Sequence, residues 1–117
     1  MEAVTAGYAT QDGTAGADYW LKEYKQLPDN YITKDEAEVG GWIPREGNLN
    51  SLFPRKIVGG DEYSNWDGHL PSAAGRTWYE ADINYTGGFR GIERVVYSND
   101  GLVFVTYDHY ESFIEIV

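Results

Sequence analysis

The chain has no cysteine. The disulfides that staple many small secreted domains are therefore excluded, and the redox compartment is left open. Basic residues are scarce: nine Lys and Arg stand against 19 Asp and Glu, a formal net charge of −10. Such a balance argues against tight non-specific attachment to nucleic acid and against fast steering toward it, because phosphate neutralisation normally supplies much of that affinity. It leaves room for a local basic patch. No apolar run reaches the roughly 20 residues of a membrane helix. The opening stretch MEAVTAGYATQDG lacks a basic segment followed by an apolar one. There is no internal repeat and no low-complexity tract, and no grouping of His, Cys and carboxylates has metal-ligand spacing. Histidine itself is confined to His69 and His109.

What is present describes one globular domain. The 117 residues are 42% hydrophobic and 15% aromatic, enough for a real but modest core. Ten tyrosines and four tryptophans suit packed sheets or surfaces that stack bases, packing being the commoner use.

Ala17, Trp20, Leu21 and Tyr24 recur at three and four, which predicts a helix from about Thr14 to Tyr24. Pro28 in LPDN breaks it. Thr33 and Glu36 form a capping box for a second helix that runs to about Val39 and ends at Gly40–Gly41, one of them at positive φ. Lys34 then leaves from the first turn, at an end that favours anions. A short third helix starts near Asn48. After Pro54 the pattern turns to strands. From Thr77 to Asn84, Trp78, Glu80, Asp82 and Asn84 share one face, and Tyr79, Ala81 and Ile83 the other. Asn99-Asp100-Gly101 joins strands over Ile92–Ser98 and Leu102–Tyr107 as a hairpin, and Phe113–Val117 closes the sheet. Helices followed by antiparallel strands predict an α+β domain with N-terminal helices packed on a C-terminal antiparallel β-sheet. The whole span 1–117 reads as a single domain, with 1–12 a loosely ordered N-terminal segment.

The chemistry gathers in RTWYEADINYTGGFRGIER, Arg76 to Arg94, and YDHYE, Tyr107 to Glu111. These runs hold a carboxylate in a strand (Glu80), two arginines after a glycine turn (Arg90 and Arg94) and a histidine beside a tyrosine (His109 and Tyr110). A carboxylate that takes a proton, an imidazole that gives one and guanidiniums that hold phosphate are what metal-free cleavage of RNA needs. Taken singly, each has a plainer reading: a solvated strand glutamate, surface arginines, a structural histidine. Asp82, two residues from Glu80, lies on the same face and reads as the carboxylate beneath Arg90 and Arg94 that holds them. His69, in the turn-like WDGHLP, reads as an exposed loop residue.

LPDNYITK at Leu27–Lys34, GGD at Gly59, GRTWYEADINYTGGFR at Gly75–Arg90 and DHY at Asp108–Tyr110 together resemble the barnase-like family of small guanyl-preferring microbial ribonucleases, the N1/T1 group. The resemblance runs from about Leu21 to the C-terminus. It implies the microbial ribonuclease fold and an endoribonuclease that cuts single-stranded RNA 3′ of guanine, or of purines more broadly, through a 2′,3′-cyclic phosphate, without a metal or other cofactor. It implies Glu80 as general base, His109 as general acid, Arg90, Arg94 and Lys34 as phosphate-binding cations, and Tyr110 as a contact to phosphate or base. Ser64, Asn65, Trp66 and Asp67 fall on the guanine-recognition segment, where backbone amides and a carboxylate read the base. Here the chain departs from barnase, which has arginine at the position of Trp66 and glutamate at that of Asp67. Trp66 either offers a stacking surface, worth roughly 1–3 kcal/mol per base, or packs on its own loop. The resemblance further implies a monomer outside the membrane, secreted after removal of a signal peptide, with a barstar-like acidic inhibitor as partner. Two other readings stay open: a ribonuclease toxin domain with a cognate immunity protein, and a catalytically weak homologue that binds RNA or protein.

Overall fold

A computed structural model describes residues 3–117. Its centre is a seven-stranded sheet in the order β1-β7-β6-β5-β4-β3-β2. The strands are β1 (Ala3–Val4), β2 (Tyr31–Ile32), β3 (Ile57–Tyr63), β4 (Trp78–Asp82), β5 (Arg94–Ser98), β6 (Val103–Thr106) and β7 (Ile114–Ile116). From β3 to β7 every neighbouring pair is antiparallel. The two-residue edges β1 and β2 join in parallel, a feature the alternating pattern does not reveal. Helices α1 (Ala17–Tyr24), α2 (Lys34–Val39) and α3 (Leu49–Leu52) precede the main strands, so the molecule is an α+β domain.

The helix limits follow local chemistry. A 3-10 turn over Gly13–Ala15 takes the place of the first turn expected of α1, which begins at Ala17 and ends with Lys25 in the left-handed region. Thr33 and Glu36 cap α2 reciprocally: the Thr33 side chain accepts from the Glu36 amide, and Glu36 accepts from the Thr33 amide. After α2, Gly41 takes φ +105°, a value that favours glycine.

The first dozen residues need a correction. Met1 and Glu2 lie outside the described residues, but Ala3–Val4 form an edge strand and 5–12 are tied to the body of the domain by hydrogen bonds rather than loose. Ala3 and Val4 pair with Glu115 and Ile116. The fully buried carboxylate of Asp18 accepts from the amides of Gly7 (2.8 Å) and Ala9 (3.2 Å). Tyr107 donates its hydroxyl to the Ala9 carbonyl. These bonds satisfy backbone groups that would otherwise stay in water, and Ala9 joins the core.

Strand alternation divides the apolar side chains between the two sheet faces. Ala81, Val95, Val103 and Val105 pack with Leu21 and Ala17 of α1. Trp78, Val96 and Phe104 pack with Leu70 and Phe113 on the opposite face. Glu80, Asp82 and Arg94 share the face of Trp78 and Val96, and therefore emerge beyond that second cluster. A third cluster, Ala37, Trp42, Leu49 and Val58, seats α2 and α3 beside β3.

The register of β3 on β4 slips between Gly59, which faces Ala81, and Asp61, which faces Glu80. Gly60, at φ +96°, is the extra residue of this bulge. Gly59 permits the close approach on its other side: a Cβ there would stand 2.5 Å from both the Ala81 Cβ and the Tyr31 ring. Gly59→Ala should therefore destabilise the domain by about 1–3 kcal/mol through overpacking. Gly91→Ala, where an added Cβ meets nothing within 4 Å, should stay within about 0.5 kcal/mol of the parent. Urea unfolding of the two variants checks this, and equal midpoints would refute the packing account.

Candidate active site

The bulge sets the first piece of the site. It places Asp61 opposite Glu80 on the ladder, where the Asp61 carboxylate accepts from the Lys34 amide at 3.1 Å. The N-terminus of α2, expected to be open to an anion, is thus already filled by a carboxylate of the chain. Lys34 is anchored beside β3 through its main chain.

The β4–β5 register sets the second piece. Asp82 lies directly opposite Arg94. Asp82 is 3% exposed and receives both Nε (2.8 Å) and a terminal nitrogen (2.7 Å) of Arg90. This two-pronged geometry matches a planar guanidinium to a carboxylate. Arg94 Nε stands 3.1 Å from Asp82 Oδ1 but is not aligned to bond it, so the contact is an ion pair alone. Arg94 instead donates Nη1 to the carbonyls of Gly91 (2.8 Å) and Glu93 (2.9 Å). Glu80 Oε1 lies 4.0 Å from Arg94 Nε. Asp82's hydrogen bonds hold the Arg90 guanidinium above its ordinary pKa, and its carbon stands 6.0 Å above the Trp42 ring.

The third piece is the turn after β6. His109 and Tyr110 both adopt positive φ, at +58° and +73°. Two successive non-glycine residues in this region are costly and need outside support. Asp108 supplies it, accepting from the Thr106 hydroxyl, the Ser112 amide and the Ser112 hydroxyl. Thr106 Oγ1 also accepts from the Tyr110 amide. The turn delivers the Tyr110 hydroxyl to Glu80 Oε1 at 2.6 Å and stacks the Tyr110 ring on Tyr63, 5.1 Å between centroids. Burial first, then the bond to Glu80, raises the Tyr110 pKa, so the phenol remains a donor. The His109 ring meets Tyr110 edge-on and is exposed.

The fourth piece is the loop after β3. Asn65, at φ +50°, spends its side chain inside the loop: Nδ2 donates to the Leu70 carbonyl at 2.9 Å, and Oδ1 accepts from the Leu70 amide at 3.1 Å. A substrate contact from Asn65 is left to its main chain. Trp66 is 85% exposed, so it does not pack on the loop. Asp67 lies within 3.3 Å of His69 Nδ1.

Glu80, the turn after β6 and the loop after β3 border an open cleft of about 640 Å³. Ser64, Trp66, Asp67, Glu80, His109 and Tyr110 line it, joined by Glu62, Tyr63, His69 and Glu111. Asp82, Arg90 and Arg94 lie beside Glu80 on the sheet rather than in the cleft wall. Lys34 and Asn65 do not line it. Sequence reasoning missed Tyr63, Asp108 and the position of His69. Asp108 and Ser112, four residues apart around a histidine, were a readable turn signal; Tyr63 and His69 gave none. Among the described residues no cluster of three or more His, Cys or carboxylate side chains is arranged to hold a metal ion, and no helix is long and apolar enough to cross a membrane.

An α+β domain with this grouping falls within a known class. A family model described as ribonuclease matches residues 14–117, and the chain belongs to that family. It is 55% identical over 107 residues to a ribonuclease of Heyndrickxia coagulans, covering 92% of this chain and 95% of that protein. Ribonucleases of Bacillus intermedius and Bacillus pumilus are each 55% identical over 107 residues as well; the chain spans 64% of their length. A crystal structure of ribonuclease Sa2 with guanosine-2'-cyclophosphate aligns at a TM-score of 0.42 and 22% identity, over 74% of this chain and 94% of that one. The chain is an RNA-cleaving enzyme of the ribonuclease family.

The support under His109 and Tyr110 has a pH signature. Aspartate titrates near about 3.9 in an unfolded chain. The Ser112 hydroxyl, then the Ser112 amide, hold Asp108 down to about 2. Because the folded value is the lower, the stabilisation is complete above about pH 4 to 5 and is lost as pH falls through about 2. Asp108→Ala should therefore flatten the pH dependence of unfolding free energy across that window and lower kcat at neutral pH. Chemical denaturation from pH 5 to pH 2 measures the first, and a parent carboxyl titrating at an ordinary aspartate value by NMR would refute the cause.

Proposed function

We propose that the chain is a metal-independent endoribonuclease that cuts single-stranded RNA 3′ of guanine through a 2′,3′-cyclic phosphate. The observation that carries this reading is the convergence of Glu80, His109 and the Ser64–Asp67 loop on one cleft, with an arginine pair beside Glu80. Tyr110 occupies Glu80 Oε1, which leaves Oε2 to accept the proton of the ribose 2′-hydroxyl. The 2′-oxygen attacks phosphorus, the bond from phosphorus to the 5′-oxygen breaks, and His109 protonates the departing oxygen. In the second step His109 takes a proton from water, the hydroxide opens the cyclic ester, and Glu80 returns its proton to the 2′-oxygen.

The two arginines divide the electrostatic work. The Arg90 side chain is 23% exposed, and its remaining N–H groups can reach phosphate. Arg94 is 6% exposed and bound to carbonyls, so it contributes charge behind Glu80 rather than a contact. Lys34 adds a further cation from the start of α2. Base recognition falls to the main-chain amides of the loop and to Asp67, with Trp66 as a stacking surface. A barstar-like inhibitor would meet a more acidic and less steering surface than a basic enzyme offers.

Glu80→Gln and His109→Ala should each lower kcat on a guanylyl dinucleotide by about 10²–10⁴, with the circular dichroism of the parent retained, and EDTA should leave activity intact. A folded His109→Ala enzyme with near-full turnover would remove the assignment. Loss of activity on chelation, restored by a divalent ion, would mean that the chemistry is misread.

The exposure of Trp66 gives a separate expectation. Trp66→Ala should raise KM with little change in kcat, the pattern of lost uniform binding. Trp66→Arg should steepen the salt dependence of RNA binding by adding a phosphate-seeking cation. An unchanged KM for Trp66→Ala would exclude stacking.

A further inference from the structure

The cleft holds one histidine that the proposed reaction does not use. His69 stands on the recognition loop, and its Nδ1 lies 3.3 Å from Asp67 Oδ2 and 3.3 Å from the carbonyl oxygen of Tyr110. Both neighbours are oxygens that can only accept, so Nδ1 carries the proton; it donates to the Tyr110 carbonyl, while its approach to Asp67 Oδ2 is a close polar contact not aligned as a hydrogen bond. The ring is steadied by an edge contact with Phe113, 6.2 Å between centroids, and Phe113 is itself buried. One nitrogen thus links the carboxylate at the tip of the recognition loop to the turn that carries His109.

The tip needs such a link. The base of the loop is fixed by the two Asn65–Leu70 hydrogen bonds. Beyond them the tip is held by its own main chain, the Gly68 amide donating to the Asn65 carbonyl (3.0 Å) and the His69 amide to Asp67 Oδ1 (3.5 Å), while Gly68 has φ +71° and nothing lies within 4 Å of a Cβ built on it. The cleft wall also carries Glu62, Glu80 and Glu111 but no lysine or arginine. His69 meets the Asp67 carboxylate twice, its ring close to Oδ2 and its main-chain amide donating to Oδ1, which leaves lone pairs for the N–H groups of a base.

We propose that His69 is a specificity-determining positioning residue: by tying Asp67 to the Tyr110 carbonyl, it holds the acceptor that reads guanine in fixed register with the catalytic turn. The inference rests on the guanine-reading cleft proposed above. It assigns His69 no contact with the reacting atoms. Removing the ring leaves the proton carriers and the His69 amide in place but uncouples Asp67 Oδ2 from the Tyr110 turn, so the loss falls on guanine substrates and on KM.

The test compares kcat/KM for GpU and ApU dinucleotides in the parent, His69→Ala and His69→Asn, with thermal melts as the fold control. The asparagine amide can place an N–H where Nδ1 stands. His69→Ala should lower the GpU-to-ApU ratio on the order of tenfold, the scale of one lost hydrogen bond, mainly through KM for GpU. His69→Asn should recover most of the ratio. In an Asp67→Ala background, His69→Ala should change the ratio no further, and this arm remains decisive if the single variant folds poorly. A parent that prefers GpU and a His69→Ala ratio unchanged from it would overturn this inference alone. Equal losses on GpU and ApU, or a full further loss in the Asp67→Ala background, would do the same. A parent that cuts GpU and ApU equally would overturn the guanine reading and this inference with it.

Discussion

Asp82 is the residue around which the site is arranged. A carboxylate that is 3% exposed cannot remain charged without partners, and breaking a buried pair costs several kcal/mol because it strands the other charge. Asp82 meets two guanidiniums, one bound bidentately and one at 3.1 Å. One negative charge against two positive leaves a surplus of cation beside Glu80. The β4–β5 register produces this arrangement, since it sets Asp82 opposite Arg94 and keeps Glu80 on the same face. A slip of β4 by one residue would send Glu80 and Asp82 to the face packed by α1 and part them from Arg94.

The turn that carries His109 solves a different problem. Its two left-handed residues cost of order 1–3 kcal/mol each, and the surrounding groups must hold them against relaxation. Asp108 gathers Thr106 and Ser112, Thr106 receives the Tyr110 amide, and Tyr63 stacks on the Tyr110 ring. Tyr110 then reaches across to Glu80. The supports of His109 and of Glu80 are therefore one network. Strain in the turn is set against contacts that also fix Glu80, which is a reason for the chain to keep a conformation that glycine would adopt more readily.

Much of this was legible in the sequence, for identifiable reasons. Strand alternation alone places Glu80 and Asp82 on one face, and the Thr33–Glu36 box fixes the start of α2. The DHY motif located His109, though not the turn that carries it. What escaped were features set by contacts distant in sequence. Ala3–Val4 pair with β7, and Asp18 accepts the amides of Gly7 and Ala9 just beyond, which no local pattern announces. The filling of the α2 N-terminus by Asp61 depends on the β3 bulge. Asn65 looked like a base contact because of its position, but its carboxamide closes the loop. His69 looked like an exposed loop residue, and it is exposed; its meaning lies in what stands across the cleft.

The charge of −10 and the site are reconciled by where the charges sit. The cleft wall holds Glu62, Asp67, Glu80 and Glu111, and the compensating arginines lie to one side of it on the sheet. An RNA strand entering such a cleft gains little from long-range attraction and must be held by contacts made at close range. The exposed Trp66 ring and the Arg90 edge are suited to that, because stacking and a bidentate fork act only on a docked nucleotide. Binding of this kind depends weakly on counterion release. The acidic surface then limits non-specific association without weakening the cation surplus that Asp82 secures next to Glu80.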